Sequence, residues 1–333
     1  MLVGLRIGLA VLWAVVYGVW HRVRKGPLVP TWSWTVELRL ILFKSFLDAA
    51  RADADPEARS LLEQRVDPPL LRRLRGVMRY EKIEVASMSA EHHLPVATGL
   101  ATDPDVTMLY LHGGAYLAGS AATHRRWISN LSWALQAQAF APNYRLAPQH
   151  RFPAALDDAM DFYRELLSRG ADPQRLVVAG DSAGGGLAAA LLLRLRDEAG
   201  PLPAGAVLFS PYTDLEHTGA SIAENRGTDY LPYGHPEPNT WYLDDHDPKD
   251  PYASPMYGDY AGIPPLLVFA GGREMIRDDS IRLVDAANAT GGNARLHIAP
   301  DMYHVWPALL PNHPETMRAL AIAADFVGSV SLR

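Results

Sequence analysis

VVAGDSAGGGLAAALLL, residues 177–193, decides the fold. Small and apolar residues run into Gly180-Asp181-Ser182-Ala183-Gly184, and a Gly-, Ala- and Leu-rich stretch follows. A G-x-S-x-G between a strand and a helix is a nucleophile elbow, in which the glycines make room for a strained turn that projects the serine hydroxyl. The spacing therefore predicts a strand up to the turn, a helix after it, and Ser182 as a nucleophile.

On either side, short apolar runs alternate with helical patterns. The runs are VTMLYL (106–111), QAFAPNY (138–144), RLVVAG (175–180), AVLFS (206–210), LLVFAG (266–271) and ARLHIA (294–299). Helix-like segments such as FPAALDDAMDFYRELLSRG lie between them. Fully apolar strands separated by helices signal a mostly parallel sheet covered on both faces, so the fold class is α/β, doubly wound. The catalytic domain is read as residues 80–333. Residues 213–265, rich in Pro, Tyr and Asp, are read as a lid-like insert. Residues 27–79 are read as a mainly helical cap. Within it, WTVELRLILFKSFLDAA carries an apolar stripe of Val36, Leu40, Phe43 and Leu47. After a break at DADPE, the basic LLRRLRGVMR (70–79) is read as a solvated helical face.

Composition narrows the function classes. The 333 residues are 48% hydrophobic, which is ample for a large core. A net charge of −6 argues against a nucleic-acid partner, which would need a basic face. There is no cysteine, so disulfides, thiolate metal sites and cysteine nucleophiles are excluded. The 12 histidines fall in no recognisable ligand spacing, and no metal is expected.

The N-terminus stands apart. Residues 2–20, LVGLRIGLAVLWAVVYGVW, carry one charge, Arg6, and end against HRVRK. As a helix they would rise roughly 28 Å, the thickness of a bilayer core. Residues 1–26 are therefore read as a membrane anchor, with a monotopic or core-packed helix and a cleaved signal as the alternatives. Trp20, Trp32 and Trp34 are expected at the interface. Arg22, Arg24 and Lys25 outnumber the charges at the other end, which would place the bulk of the chain on the cytoplasmic side.

Two further stretches carry chemistry. LYLHGGAYLAGS (109–120) follows a predicted strand. Acyl transfer builds charge on an oxygen and needs preorganised N–H donors. Gly113 and Gly114 let the backbone approach a substrate carbonyl, and the N–H of Ala183, after the nucleophile, would join them. His112 is expected to orient this loop. APDMYHVWP (299–307) puts His304 just past the last predicted strand, where it would act as the base for Ser182. Nucleophile, acid, histidine is the chain order of an α/β-hydrolase.

HGGAY, YRLAPQHRFPAALDD, GDSAGG, DPYASP and MYHVW, in that order, resemble the bacterial hormone-sensitive-lipase-like (family IV) carboxylesterases, over residues 80 to the end. The helical N-terminus is similar to that family's cap. The resemblance implies an α/β-hydrolase fold and cofactor-free serine hydrolysis of short- to medium-chain carboxylic esters. Two features depart from the family: Ala115 stands where it has a third loop glycine, narrowing access for bulky esters, and a membrane-spanning N-terminus is unusual among its bacterial members.

The acid is sought in AGGREMIRDDS, residues 270–280. The family pattern Asp-Pro-Leu-x-Asp lays Glu274 on the acid position. A residue at a strand's carboxyl end also points toward the crevice where sites form. Asp278 and Asp279 sit where a helix begins and suit capping. Glu274 is the chosen acid, with Asp278 the fallback and Asp214 or Asp279 behind it.

Tyr116, Asp181, Trp306 and His112 are the candidate substrate contacts, with Trp127, Trp241 and Tyr242 as further pocket candidates or core. Asp181 is read as either an anchor of the elbow or a selector of the alcohol. An amidase or deacetylase would use the same serine machinery, and a non-catalytic small-molecule receptor would keep the fold, although His304 argues against it. A homodimer is compatible with the sequence.

Overall fold

The predicted runs at the centre of the sheet form strands because almost every residue in them is apolar or small and both faces are covered, while ARLHIA forms the edge strand, with Ile298 exposed. The computed structural model describes residues 2–51, 69–96, 105–231 and 237–331. Its sheet contains β1 (Met78–Val85), β2 (Met88–Pro95), β3 (Val106–Leu111), β4 (Ala137–Pro142), β5 (Leu176–Asp181), β6 (Gly205–Phe209), β7 (Leu266–Gly271) and β8 (Ala294–Ala299). The eight strands lie in the order β1-β2-β4-β3-β5-β6-β7-β8. The β1–β2 and β2–β4 pairs are antiparallel and the rest are parallel.

Alternation along each strand divides the core between the two faces. Leu109, Leu111, Val178, Leu208 and Val268 pack with α4 (Ala154–Ser168), α5 (Ala183–Asp197) and α6 (Arg277–Ala289). Met108, Tyr110, Val177, Phe209 and Phe269 pack with α3 (Ala121–Leu135) and α7 (Pro314–Ser331). Strand and helix boundaries fall within one or two residues of the predicted runs. The β1–β2 hairpin was not predicted, because its residues show no clean apolar alternation. Its turn uses Ala86 and Ser87, both at positive φ (51° and 60°), without the usual glycine or asparagine.

The N-terminal region differs from the sequence reading in three ways. Residues 70–79 are not a helical face: Arg72–Leu74 is a single 3-10 turn, and β1 starts at Met78. Gly76, at φ +87°, ends the turn, while Leu74 is fully buried and Arg73 donates to Asn130 and Pro311 O. The break at DADPE lies outside the described residues. Second, residues 2–25 form a helix, α1 (Leu2–Lys25), but among the described residues no helix is long and apolar enough to cross a membrane. Instead α1 packs on α2 (Trp34–Arg51), where a Cβ on Gly18 would lie 2.9 Å from Ile41 Cδ1. Arg22 is paired with Glu37 of α2 and donates to Trp32 O. Third, Trp32 is not interfacial. It is buried edge-on against Tyr303 and donates to Asp301 O, because this segment lies over the loop before His304.

Residues 213–231 also serve a purpose the lid reading did not anticipate. Ser221 Oγ donates to Met275 O at 2.7 Å, and Asn225 Nδ2 donates to Glu274 O at 2.9 Å. The insert is therefore wired to the loop after β7. It also meets α2, where Tyr230 packs edge-on against Phe43 at 4.7 Å. Residues 232–236 lie outside the described residues.

Candidate active site

β5 ends in Asp181, and the next residue, Ser182, sits at φ 53°, ψ −122°, immediately before α5. A non-glycine residue there stores roughly 1–3 kcal/mol of backbone strain. The turn holds because its neighbours leave no alternative. A Cβ on Gly184 would lie 2.1 Å from Leu111 O and 2.4 Å from His112 O, and one on Gly180 would lie 2.3 Å from Gly184 O. The glycines of the motif are therefore needed for close backbone approach between the elbow and the loop after β3.

Three side chains predicted from the sequence meet above the strand ends. The Ser182 hydroxyl is 2.9 Å from His304 Nε2, and His304 Nδ1 is 3.3 Å from Glu274 Oε2. Glu274 is 0% exposed and His304 2%. Burial alone would lower the His304 pKa, but the hydrogen bond and charge of Glu274, with Asp229 and Asp181 behind it, outweigh that and raise it. His304 can therefore take a proton from Ser182 while its imidazolium form is stabilised. Gly271 and Gly272 allow this meeting, because Cβ atoms there would lie 2.2 Å from Met302 O and 2.1 Å from Pro300 O, in the backbone leading to His304.

The competing acids have other partners. Asp278 Oδ2 accepts from Ser221 N at 2.9 Å, and Asp279 Oδ2 accepts from the N–H groups of Thr213 and Asp214. Asp214 accepts from Glu216 N and Thr218 N and pairs with Arg282. Only Glu274 among them bonds to His304.

Asp181 anchors the elbow. Its Oδ1 accepts from Tyr110 Oη at 2.5 Å and from Gly113 N at 3.0 Å, and its Oδ2 is 3.5 Å from His124 Nε2. Burial would raise its pKa, but His124 and Tyr110 bring it below the usual carboxylate range, so it is ionised. This corrects one expectation: the Gly113 N–H points at Asp181, so it is engaged and not open to a substrate oxygen. The following residues Gly114, Ala115 and Tyr116 all have positive φ (131°, 57° and 62°), which turns the loop sharply. His112 acts as a loop anchor. Its Nδ1 lies 2.9 Å from Gly113 O and its ring stacks on Tyr144 at 4.2 Å. Burial first, then His124, drives its pKa down to about 3, so it stays neutral.

Two expected substrate contacts are buried. Trp306 is completely buried in the core layer that also holds Trp127 and Phe209. Tyr116 is buried and stacked on Tyr242 at 3.9 Å. Both side chains pack into the hydrophobic core. Trp127 and Tyr242 are likewise core. Two residues went unnoticed in the sequence. Tyr144 donates to His112 O at 2.5 Å and was legible within YRLAP. Asp229, buried beside Glu274 and His304, carries no motif signal. Among the described residues no group of His, Asp and Glu could hold a metal ion.

A mostly parallel sheet with serine, histidine and carboxylate linked above its strand ends defines the α/β hydrolases. A family model described as alpha/beta hydrolase fold matches residues 108–308. An acetyl-hydrolase of Streptomyces hygroscopicus is 43% identical over 223 residues, 66% of this chain and 75% of the relative. An esterase of Acinetobacter venetianus is 35% identical over 228 residues, 68% of this chain and 75% of the relative. The crystal structure of an esterase from the bacterial hormone-sensitive lipase family superposes with a TM-score of 0.80 at 35% identity, over 90% of this chain and 99% of the other. EstE5, soaked with p-nitrophenyl butyrate, superposes at 0.77 and 37% identity, over 89% and 99%. The chain belongs to the alpha/beta hydrolase family, among the hormone-sensitive-lipase-like esterases, which are carboxylic ester hydrolases.

Proposed function

We propose that the protein is a serine carboxylesterase for short- to medium-chain esters, working through an acyl-enzyme. The observation that carries this is the continuous hydrogen-bonded line Ser182–His304–Glu274. Ser182 Oγ attacks the ester carbonyl carbon as its proton passes to His304 Nε2. Glu274 holds Nδ1–H and stabilises the imidazolium. With the Gly113 N–H engaged, the N–H groups of Gly114 and Ala183 are left to meet the oxyanion. His304 then gives its proton to the leaving alkoxide, and water repeats the sequence to release the acid. The substrate range is supported by the acetyl-hydrolase relative and by the butyrate ester used with EstE5. Turnover of p-nitrophenyl esters should peak between acetate and medium chains, and Ser182→Ala should lower it by a factor on the order of 10⁴ or more. Near-normal turnover in that variant overturns the assignment.

Residues 27–79 are proposed as cap and 213–265 as lid, supported by the packing of Phe43 on Tyr230, whose ring lies 5.7 Å from that of His304. Fixing Phe43 to Tyr230 through a cysteine pair should slow turnover of bulky esters, and unchanged rates would sink the lid reading. We also propose that α1 lies on a membrane surface. Trp13, Val16, Tyr17 and Trp20 are 72, 59, 46 and 50% exposed, and Arg24 and Lys25 end the helix. Aromatic rings beside basic groups suit a headgroup interface. The protein should co-sediment with anionic vesicles and lose this in Trp13→Ala/Trp20→Ala. A vesicle-independent dimer broken by the same change would show a second copy as the occupant instead.

A further inference from the structure

We infer that Asp229 is a positioning residue for this machinery: its one buried carboxylate ties the loop that carries Glu274 to the loop that carries His304. The inference rests on the serine-esterase reading above and adds a member to it. Oδ2 accepts from Met275 N, the residue after Glu274, at 2.7 Å. Oδ1 accepts from His304 N at 3.3 Å and from Tyr230 N at 2.8 Å. The two loops already touch through Gly272 N to Ala299 O at 2.8 Å and Arg273 N to Met302 O at 2.9 Å, and Asp229 adds a side-chain tie at the residues nearest the chemistry. The segment around Asp229 reinforces the clamp, since Asn225 Nδ2 donates to Glu274 O and Thr228 Oγ1 donates to Arg273 O at 3.2 Å. Tyr230 closes it from the other side, with its ring 5.7 Å from that of His304 and 6.1 Å from that of Tyr303.

The charge of Asp229 has a direction of effect. The groups facing His304 are Glu274 from the loop after β7, Asp229 and Tyr230 from the insert, Asp181 and Ser182 from the elbow, and Tyr303 beside it. Three of these are acidic, and the carboxylate of Asp229 adds to the stabilisation of the imidazolium. Burial raises the Asp229 pKa to about 6, with Glu274 pushing the same way. An acid with a raised folded pKa costs stability that develops between its unfolded value and its folded one and persists above it. The chain bears that cost above pH 6, where the ionised carboxylate accepts three N–H groups.

The test is Asp229→Asn, which keeps shape and one acceptor oxygen but removes the charge, with Asp229→Ser as a second neutral replacement should the asparagine fail to fold. In the folded variant, kcat for p-nitrophenyl butyrate should fall about ten- to a hundredfold with KM within about twofold. The acid limb of kcat/KM should move to lower pH by roughly half a unit, because an upward influence on His304 is lost. Combined with Glu274→Gln, the two losses should be less than additive, as for residues acting through one group. A folded variant with wild-type kcat, or a reduced kcat with an unmoved acid limb, overturns the inference. If Ser182→Ala abolishes activity while Asp229→Asn leaves kcat and limb untouched, only this inference falls. If Ser182→Ala stays active, the esterase reading falls with it.

Discussion

The elbow and the acid loop both stand at the carboxyl ends of parallel strands, yet side chains from another segment take a much larger part in holding the second. Around Ser182 the backbone holds itself: Gly180 and Gly184 let the turn press against Leu111 O and His112 O, and Ser182 N and O bond to Phe209 O and Tyr212 N. Around Glu274, backbone bonds from Gly272 N to Ala299 O and from Arg273 N to Met302 O are joined by side chains far away in sequence: Ser221, Asn225, Thr228 and Asp229 each bond to backbone between Arg273 and Met275. One site part is specified by what small residues permit locally. The other depends on a partner segment that arrives about 50 residues earlier in the chain.

The strongest way to probe the acid side is Glu274→Gln. It should lower kcat by about 10⁴-fold, since the amide no longer fixes the imidazole tautomer. The raised His304 pKa means that its neutral, active form is lost as pH falls through that value. Removing the charge of Glu274 should therefore move the acid limb of kcat/KM to lower pH. A limb that stays put or rises would show that another group titrates.

Gly184→Ala tests the elbow's self-support. The new Cβ would lie 2.1 Å from Leu111 O, so the loop after β3 must give way. A misplacement of about 1 Å costs on the order of a hundredfold in kcat, measurable on the same ester series. Full activity would mean that the elbow tolerates a different turn.

Asp278→Asn should do least. Its carboxylate accepts from Ser221 N and pairs with Arg277, neither of which belongs to the line Ser182–His304–Glu274. We expect kcat within about twofold and a stability loss of about 1 kcal/mol in urea melts. A collapse of kcat here with Glu274→Gln unaffected would reverse the assignment of the acid.

The sequence carried the sheet well, because fully buried parallel strands must be nearly all apolar, and such runs are visible without tertiary knowledge. It carried the β1–β2 hairpin poorly: the alternation is weak in a region where His93 and Glu91 are buried with Arg125 and Ser129. Residues 70–79 look helical by composition, and only the burial of Leu74 and the turn at Gly76 show otherwise. For α1, an apolar run of nearly bilayer length predicted a span, whereas the folded helix finds α2 through Gly18 and leaves an aromatic stripe outside.

Ser182, Glu274 and His304 were legible because each follows a predicted strand in the chain order of an α/β-hydrolase, with the family pattern laying Glu274 on the acid position. Which N–H groups face a substrate oxygen was not, since Gly113 points at Asp181 only once β3 and β5 are paired. Trp306 and Tyr116 show the same limit, because sequence places a residue beside a site while packing decides where its side chain goes. Asp229 is the extreme case. A carboxylate bonded to three backbone N–H groups leaves no pattern in its own neighbourhood, because hydrogen bonds reach across space to whatever the fold delivers. Local backbone geometry is written in the residues that adopt it. Which distant side chain joins two loops is decided only when the chain folds back onto both.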